Sequence, residues 1–155
     1  MTESVERTLV IAKPDAVQRG YLGEIISRLE KRGLRLTASK FIQISRDFAE
    51  KHYAIHQGKP FYQGLVNYII STPVLAMVWA GENSIAAVRQ TVGATNPLEA
   101  ASGTIRHDLA LLTSRNLIHA SDSLENAEKE ISLWFDSTEI FEWEQDSKEW
   151  IFGKN

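Results

Sequence analysis

The sequence predicts an α+β domain built on a four-stranded antiparallel sheet with helices packed on it. Three observations predict this fold. Segments with strand and helix patterns follow in the order strand, helix, strand, helices, strand, helices, strand, helix, and interleaving of this kind builds layers of helix on sheet. Two segments, Leu9 to Ala12 and Val74 to Trp79, are continuous apolar runs, as expected of strands buried on both faces. A third, Leu34 to Ile44, alternates, so that Leu34, Leu36, Ala38, Ile42 and Ile44 share one face and the other meets water. That half-exposed strand favours antiparallel pairing over the competing doubly wound parallel sheet, and the resulting arrangement is the ferredoxin-like, split βαβ one.

The first strand, Arg7 to Ala12, runs into Lys13-Pro14-Asp15. Pro14 stops the ladder and opens a helical turn through Asp15, Ala16 and Val17. Lys13 is left at the mouth of a strand, either solvated or facing a ligand. Gly20 to Lys31 is an amphipathic helix with Leu22, Ile25, Ile26 and Leu29 on one stripe, ended by Gly33 after the basic pair Lys31-Arg32. Ser45-Arg46-Asp47 opens a helix over Phe48 to His56. Gln57-Gly58-Lys59-Pro60 is a turn, and Phe61 to Ser71 is helical until Thr72-Pro73 breaks it. Ser84 to Thr91 is a helix with Ala87 and Val88 inward and Arg89 near its end. Residues 93–103 read as a loop, Thr104 to Asp108 as a short helical turn, and Ile118 lies in the last strand. In the final helix Leu124, Ala127, Ile131, Trp134 and Phe135 recur at helical spacing. Asp122 or Ser123 caps it, with Glu125 placed after Asp122 as in a capping box.

A chain of 155 residues is expected to form one domain over residues 1–155, with 136–155 as a tail. That tail carries Phe141, Trp143, Trp150 and Phe152, so it is expected to dock on its own domain or on a neighbouring subunit. The net charge of −3 weighs against a general nucleic-acid binder and requires any polyanion site to be a local basic cluster. The lack of cysteine excludes disulfides, thiolate chemistry and zinc-thiolate sites, in keeping with a cytoplasmic protein. The start, Met1-Thr2-Glu3-Ser4-Val5-Glu6, is polar and acidic, unlike a signal peptide. The apolar runs are too short to span a bilayer. Neither a membrane nor a dedicated nucleic-acid partner is expected.

The stretch Asn116-Leu117-Ile118-His119-Ala120-Ser121-Asp122-Ser123 places a histidine just ahead of a helix N-terminus, where unpaired backbone N–H groups and the helix dipole favour an anion. Such a histidine is a candidate phosphoryl acceptor. On local spacing alone it is equally a polar residue before a plain capped helix. Other basic and polar residues collect at element ends: Lys13, Tyr53, Arg89, Thr95, Arg106, Arg115, Asn116 and Ser121. Arginine forks and lysine ammonium groups neutralise phosphates, hydroxyls donate to single oxygens, and Phe61 offers a face on which a base can stack. There is no P-loop and no Gly-x-Gly-x-x-Gly. A nucleotide site would have to be assembled from scattered residues.

Those residues and their surroundings resemble the nucleoside diphosphate kinase family over nearly the whole chain. The matching segments are Glu6-Arg7-Thr8, Lys13 to Gly20, His52-Tyr53, Lys59-Pro60-Phe61, Gly93 to Pro97, Gly103 to Arg106, and Asn116 to Ser123, the last being the family's active-site signature Asn-x-x-His-Gly/Ala-Ser-Asp. The resemblance implies ping-pong transfer of the γ-phosphate of a nucleoside triphosphate to a nucleoside diphosphate through a phosphohistidine on His119, with broad base tolerance. Residue by residue it implies Lys13, Tyr53 and Arg106 around the transferred phosphate, and Arg89 and Thr95 at the β-phosphate. It implies Phe61 on the base, Asn116 on sugar and phosphates, and Ser121 near the nucleophile. Glu130 would orient the imidazole. Helical phase leaves Glu128 and Glu130 equivalent on opposite borders of the apolar stripe, and only the resemblance selects Glu130. Mg²⁺ is implied as cofactor, held by the nucleotide phosphates, with Asp122 mainly a helix cap that reaches the ion at most through water. A homo-oligomer is implied, with the long tail favouring a hexamer over a tetramer. The chain departs from the family pattern at His107, Ser102, Ser114 and Thr72, which puts loop geometry rather than reaction class in question. A non-catalytic ferredoxin-like binding module is the alternative, and a histidine phosphatase that discharges to water is a third reading.

Overall fold

The computed structural model describes residues 5–153. The start Met1-Thr2-Glu3-Ser4 and the tail's last two residues, Lys154 and Asn155, lie outside the described residues. Strands β1 (Glu6–Ala12), β2 (Arg35–Ile42), β3 (Val74–Gly81) and β4 (Ile118–Ala120) form one sheet in the order β2-β3-β1-β4. Every pairing is antiparallel. The two continuous apolar runs take the central places, and Leu9 to Ala12 and Ala76 to Trp79 are buried without measurable exposure. Such strands cannot stand at an edge, because both of their faces need cover.

Helices supply that cover on both sides. On one face α1 (Pro14–Gln18), α2 (Leu22–Lys31), α5 (Ser84–Val92) and α6 (Ile105–Leu109) pack on Val10, Ala12, Met77 and Trp79. On the other, α3 (Arg46–His52), α4 (Tyr62–Ile69) and α7 (Leu124–Trp134) pack on Leu9, Ile11, Ala76 and Val78. The odd and even positions of β1 thus feed two separate cores, as the strand's period of two dictates.

Strand β2 departs from the expected pattern. Its apolar residues do not share one face. Leu34 and Leu36 join the α2 side, whereas Ala38, Ile42 and Ile44 join the α3 side. The pairing register slips between Leu36 and Ala38. Thr37 is the extra residue of a β-bulge, and one extra residue turns every later side chain to the opposite face. The Thr37 hydroxyl donates to the Val78 carbonyl at 3.2 Å, which holds the bulge to β3. Helix α3 also ends earlier than its apolar pattern implied, at His52, and a 3₁₀ turn at Ala54–His56 follows.

The tail returns along the outer edge of β2. The Phe141 N–H donates to the Thr37 carbonyl at 2.9 Å, and the Trp143 indole donates to the Leu36 carbonyl at 2.9 Å. Helix α8 (Lys148–Phe152) then lays Ile151 on Gly33. Gly33 has φ +97°, and a Cβ there would stand 2.5 Å from Ile151 Cγ2. Glycine is required by its helix-ending conformation and by the closeness of the tail.

Helix α7 is capped by Ser123, whose Oγ accepts the Asn126 N–H at 3.1 Å. Asp122 does not cap; it accepts from the Asn126 side-chain amide at 2.6 Å. Glu125 pairs with Lys129 at 3.1 Å instead of reaching back in a capping box. The serine precedes the helix directly and adopts extended backbone (φ −156°, ψ 163°), the geometry a cap needs. Ser123→Ala is therefore expected to cost ~1 kcal/mol of stability, and Asp122→Ala less, in paired denaturant titrations.

Candidate functional site

The site gathers where β1 ends. Among the described residues, strand β4 pairs only with β1, with Ile118 opposite Ala12 and His119 opposite Ile11. Pairing therefore sets the nucleophile candidate beside the strand end that carries Lys13. His119 is partly buried and its Nε2 meets Glu130 Oε2 at 2.5 Å. Glu130 comes from α7, which packs on the same face of β1. Glu128 points elsewhere and pairs with Arg7 at 3.5 Å. Tertiary packing thus separates two glutamates that helical phase could not. Among the described residues, no hydrogen bond engages His119 Nδ1, so the ring's second nitrogen keeps its lone pair.

A second histidine stands beside the first. The His52 ring, at the end of α3, lies 5.0 Å from that of His119 at an interplanar angle of 79°. The Trp134 indole donates to His52 Nδ1 at 3.1 Å. An indole N–H only donates, so Nδ1 is the acceptor and the His52 proton sits on Nε2. Burial first, then the charges of His119, Lys13 and His56, hold the His52 imidazole well below its ordinary range, so it is neutral. His52, His119 and Glu130 place potential ligand atoms within 4.8 Å of one another. With Nδ1 of His52 occupied, its Nε2 protonated and Glu130 bonded to His119, they do not offer a cation three free lone pairs.

A row of rings leads outward from this pair. Tyr53 stands 4.7 Å from His52, His56 6.3 Å from Tyr53, and Phe61 5.3 Å from His56. Phe61 is exposed at the N-terminus of α4, with Lys59 Nζ 5.7 Å from its ring. Burial pushes the Tyr53 phenol up to about 12, so it remains a proton donor through the neutral range.

The cationic side is built on backbone carbonyls. Arg106 is buried at 6 % exposure. Its guanidinium donates to the carbonyls of Asn116 (3.3 Å), Gly93 (3.0 Å) and Ile118 (2.6 Å). Arg89 donates to the Ala120 carbonyl at 3.1 Å. Lys13 Nζ donates to Asn116 Oδ1 at 2.6 Å, and the Asn116 amide donates to the Thr95 carbonyl at 2.9 Å. Lys13, Thr95, Asn116 and Arg106 are therefore one connected set, drawn from β1, two loops and α6. Ser121 is buried; its hydroxyl accepts the Leu9 N–H at 3.3 Å and so ties the exit of β4 to β1. Asp122 is exposed at the first turn of α7.

Among the described residues, none of these cations forms an ion pair with a carboxylate. Burial, then Arg106 and Arg115, lower Lys13 to about 8 despite the opposing pull of Asp15. Burial, then Arg89, lowers Arg106 to about 10. A polyanion would relieve this repulsion. His107, the departure next to Arg106, is exposed and turned outward. It pairs with Asp108 at 3.0 Å, and Asp108 in turn binds Arg28 at 2.8 Å. Sequence reasoning assigned no role to His52, Trp134, Asp15 or Tyr68. His52 and Asp15 lie in segments that carry the resemblance and Trp134 in the apolar stripe of α7, but nothing local shows what their side chains meet, because each acts through a residue distant in sequence.

A family model of nucleoside diphosphate kinase matches residues 6–140. The chain belongs to the nucleoside diphosphate kinase family. It is 53% identical over 148 residues to a nucleoside diphosphate kinase of Staphylococcus epidermidis, covering 96% of this chain and 99% of that one. It is 55% identical over 148 residues to one of Archaeoglobus fulgidus, at 96% and 98% coverage. Among solved structures, a Halobacterium salinarum nucleoside diphosphate kinase in complex with CDP superposes with a TM-score of 0.92 at 47% identity, covering 95% of this chain and 98% of that one. The chain is accordingly a phosphotransferase of the nucleoside diphosphate kinase type, with the ferredoxin-like α+β fold of that family. The binding-module alternative is not favoured. No helix among the described residues is long and apolar enough to cross a membrane.

A lysine lowered to about 8 is charged below that pH and neutral above it. The quantity kcat/KM reports the free enzyme and is expected to fall as pH rises through about 8. A phosphate bound against Lys13 would hold its proton, and kcat would then stay level further into the alkaline range. Steady-state profiles across mildly acidic to alkaline pH check the difference, and a kcat/KM that stays flat well above that value would contradict it.

Proposed function

We propose that His119 carries the phosphoryl group between a nucleoside triphosphate and a nucleoside diphosphate in a ping-pong cycle. The observation that supports this reading is the His119–Glu130 contact at 2.5 Å. It fixes the proton on Nε2 and leaves the Nδ1 lone pair as nucleophile. Nδ1 attacks the γ-phosphorus, the bond from phosphorus to the β–γ bridging oxygen breaks, and the nucleoside diphosphate leaves with those electrons. The phosphorylated ring keeps its Nε2 proton and bears positive charge, which the Glu130 carboxylate stabilises. A second nucleoside diphosphate attacks the same phosphorus in the reverse sense, and the imidazole returns to neutral. A single site serves donor and acceptor in turn.

The other residues position and stabilise charge, the main work in phosphoryl transfer. Lys13, Tyr53 and Arg106 hold the oxygens of the transferred group. Arg106 has N–H donors beyond the three spent on carbonyls. Arg89 and Thr95 bind the β-phosphate, Asn116 the sugar and phosphates, and Phe61 stacks the base; stacking reads any base, so tolerance is broad. Ser121 acts by holding the β4 exit. The CDP bound in the Halobacterium salinarum relative supports a nucleoside diphosphate as one substrate.

Mg²⁺ is proposed to enter with the nucleotide. The donor set fits an ion held chiefly by phosphates, because Glu130 is committed to His119 and one Asp122 oxygen to Asn126. Asp122 would reach the ion through water, in keeping with the waters Mg²⁺ retains. Bound there, it would offset phosphate charge. A hexamer is proposed over a tetramer: Trp150 is 92% exposed at the end of a tail otherwise laid on the domain. A cytoplasmic setting accords with a chain that lacks cysteine.

Incubation with γ-labelled ATP is expected to give acid-labile, base-stable label that His119→Gln abolishes. Glu130→Gln keeps an oxygen for the His119 Nε2–H but loses the charge, a difference of about 1–1.5 kcal/mol, and is expected to be roughly tenfold slower. Label retained by His119→Gln would refute the assignment. Sedimentation of the intact chain is expected to give the hexamer, and a chain ended at Trp143 a smaller assembly. An unchanged assembly would remove the tail from the interface.

A further inference from the structure

Leu117 lies between Asn116 and the strand that bears His119. Its φ is +74°, the left-handed region, which is unfavourable for a residue that bears a side chain. Its side chain is fully buried in the core on the α2 side. The Ile118 N–H donates to the Asn116 carbonyl across Leu117 at 2.9 Å, closing a γ-turn of the rare, strained kind, and one further segment holds that turn from both sides. The Leu117 N–H donates to Asp15 Oδ2 at 2.9 Å, and the Leu117 carbonyl accepts the Lys13 N–H at 2.9 Å. The other Asp15 oxygen accepts the Tyr68 hydroxyl, from α4. The Tyr68 ring also carries the Arg115 guanidinium at 4.3 Å and Lys13 Nζ at 5.8 Å. Asp15 and Tyr68 therefore bridge α1, α4 and the loop before β4.

We propose that Asp15, held by Tyr68, is a positioning residue for phosphoryl transfer, because its carboxylate fixes left-handed Leu117 and thereby sets Asn116 and His119 against Lys13. The left-handed turn lets Asn116 face Lys13 and Thr95 while His119, two residues on, pairs with Ile11. If the turn relaxed, the two groups would lose their mutual register. The same carboxylate is the negative charge facing Lys13. Arg106 on α6 and Arg115 before β4 face the lysine as positive charges, and Tyr68 on α4 and His52 on α3 face it as neutral groups. Asp15 opposes the lowering of Lys13 by burial and by the arginines.

The proposal rests on His119 as phosphoryl acceptor, which labelling of the unmodified chain decides separately; the variants are read as ratios to that chain. Asp15→Ala removes the clamp and is expected to lower kcat about ten- to a hundredfold, as displacement of reacting groups by about 1 Å does, with KM changed less. Asp15→Asn retains an oxygen for the Leu117 N–H but no charge. It is expected to recover most of kcat near neutrality while its kcat/KM falls at a lower pH than in the unmodified chain. Tyr68→Phe is expected to lower kcat without moving that alkaline limb. If Asp15→Ala does not fold, the other two variants decide. An Asp15→Asn profile that coincides with the unmodified chain overturns the proposal, as does an Asp15→Ala variant that loses thermal stability but keeps kcat.

Discussion

The pairing of β4 with β1 is the constraint on which the site depends. Strand β4 is short and finds its partner only in β1. Strand β1 is itself fixed by burial, since Leu9 to Ala12 fill cores on both faces of the sheet. The proposed nucleophile thus sits on a marginal strand anchored to a fully buried one. Glu130 reaches it because α7 packs on the same face of β1 that Leu9 and Ile11 present. A one-residue slip of β4 would turn His119 to the opposite face. Ser121 bonded to Leu9, and Leu117 bonded to Lys13 and Asp15, hold the two ends of β4 in register.

Charge at the site follows from the same burial. The chain is acidic overall, yet among the described residues Lys13 and Arg106 converge here without an ion pair, and both are lowered by burial. Three carbonyls accept from the Arg106 guanidinium, those of Gly93 and Asn116 in loops and that of Ile118 at the start of β4. The cation that would meet a phosphate therefore also shapes the walls. Gly93 lets this happen: its φ is +93°, and a Cβ there would stand 2.5 Å from the Thr104 hydroxyl. His52 is kept neutral next to this charge, so it adds no further positive group to the cluster.

The sequence by itself determined the two buried strands and the interleaving of helices with strands, because apolar runs and periodicities are local signals that burial must satisfy; the antiparallel sheet was expected correctly, but from an alternation in β2 that the bulge interrupts. It also marked His119, Lys13, Arg106 and Asn116 through an ordered set of motifs, although convergence of those residues was not visible in it. Tertiary structure alone decided three matters. The bulge at Thr37 sent Leu36 and Ala38 to opposite cores, which an alternating pattern cannot reveal because the extra residue leaves no trace in hydrophobicity. Packing of α7 turned Glu130 to the histidine and Glu128 to Arg7, where helical phase treated them alike. The left-handed backbone at Leu117 arose from Asp15 and Tyr68, residues distant in sequence. Leucine has no local preference for that conformation, and only the fold supplies the bonds that hold it.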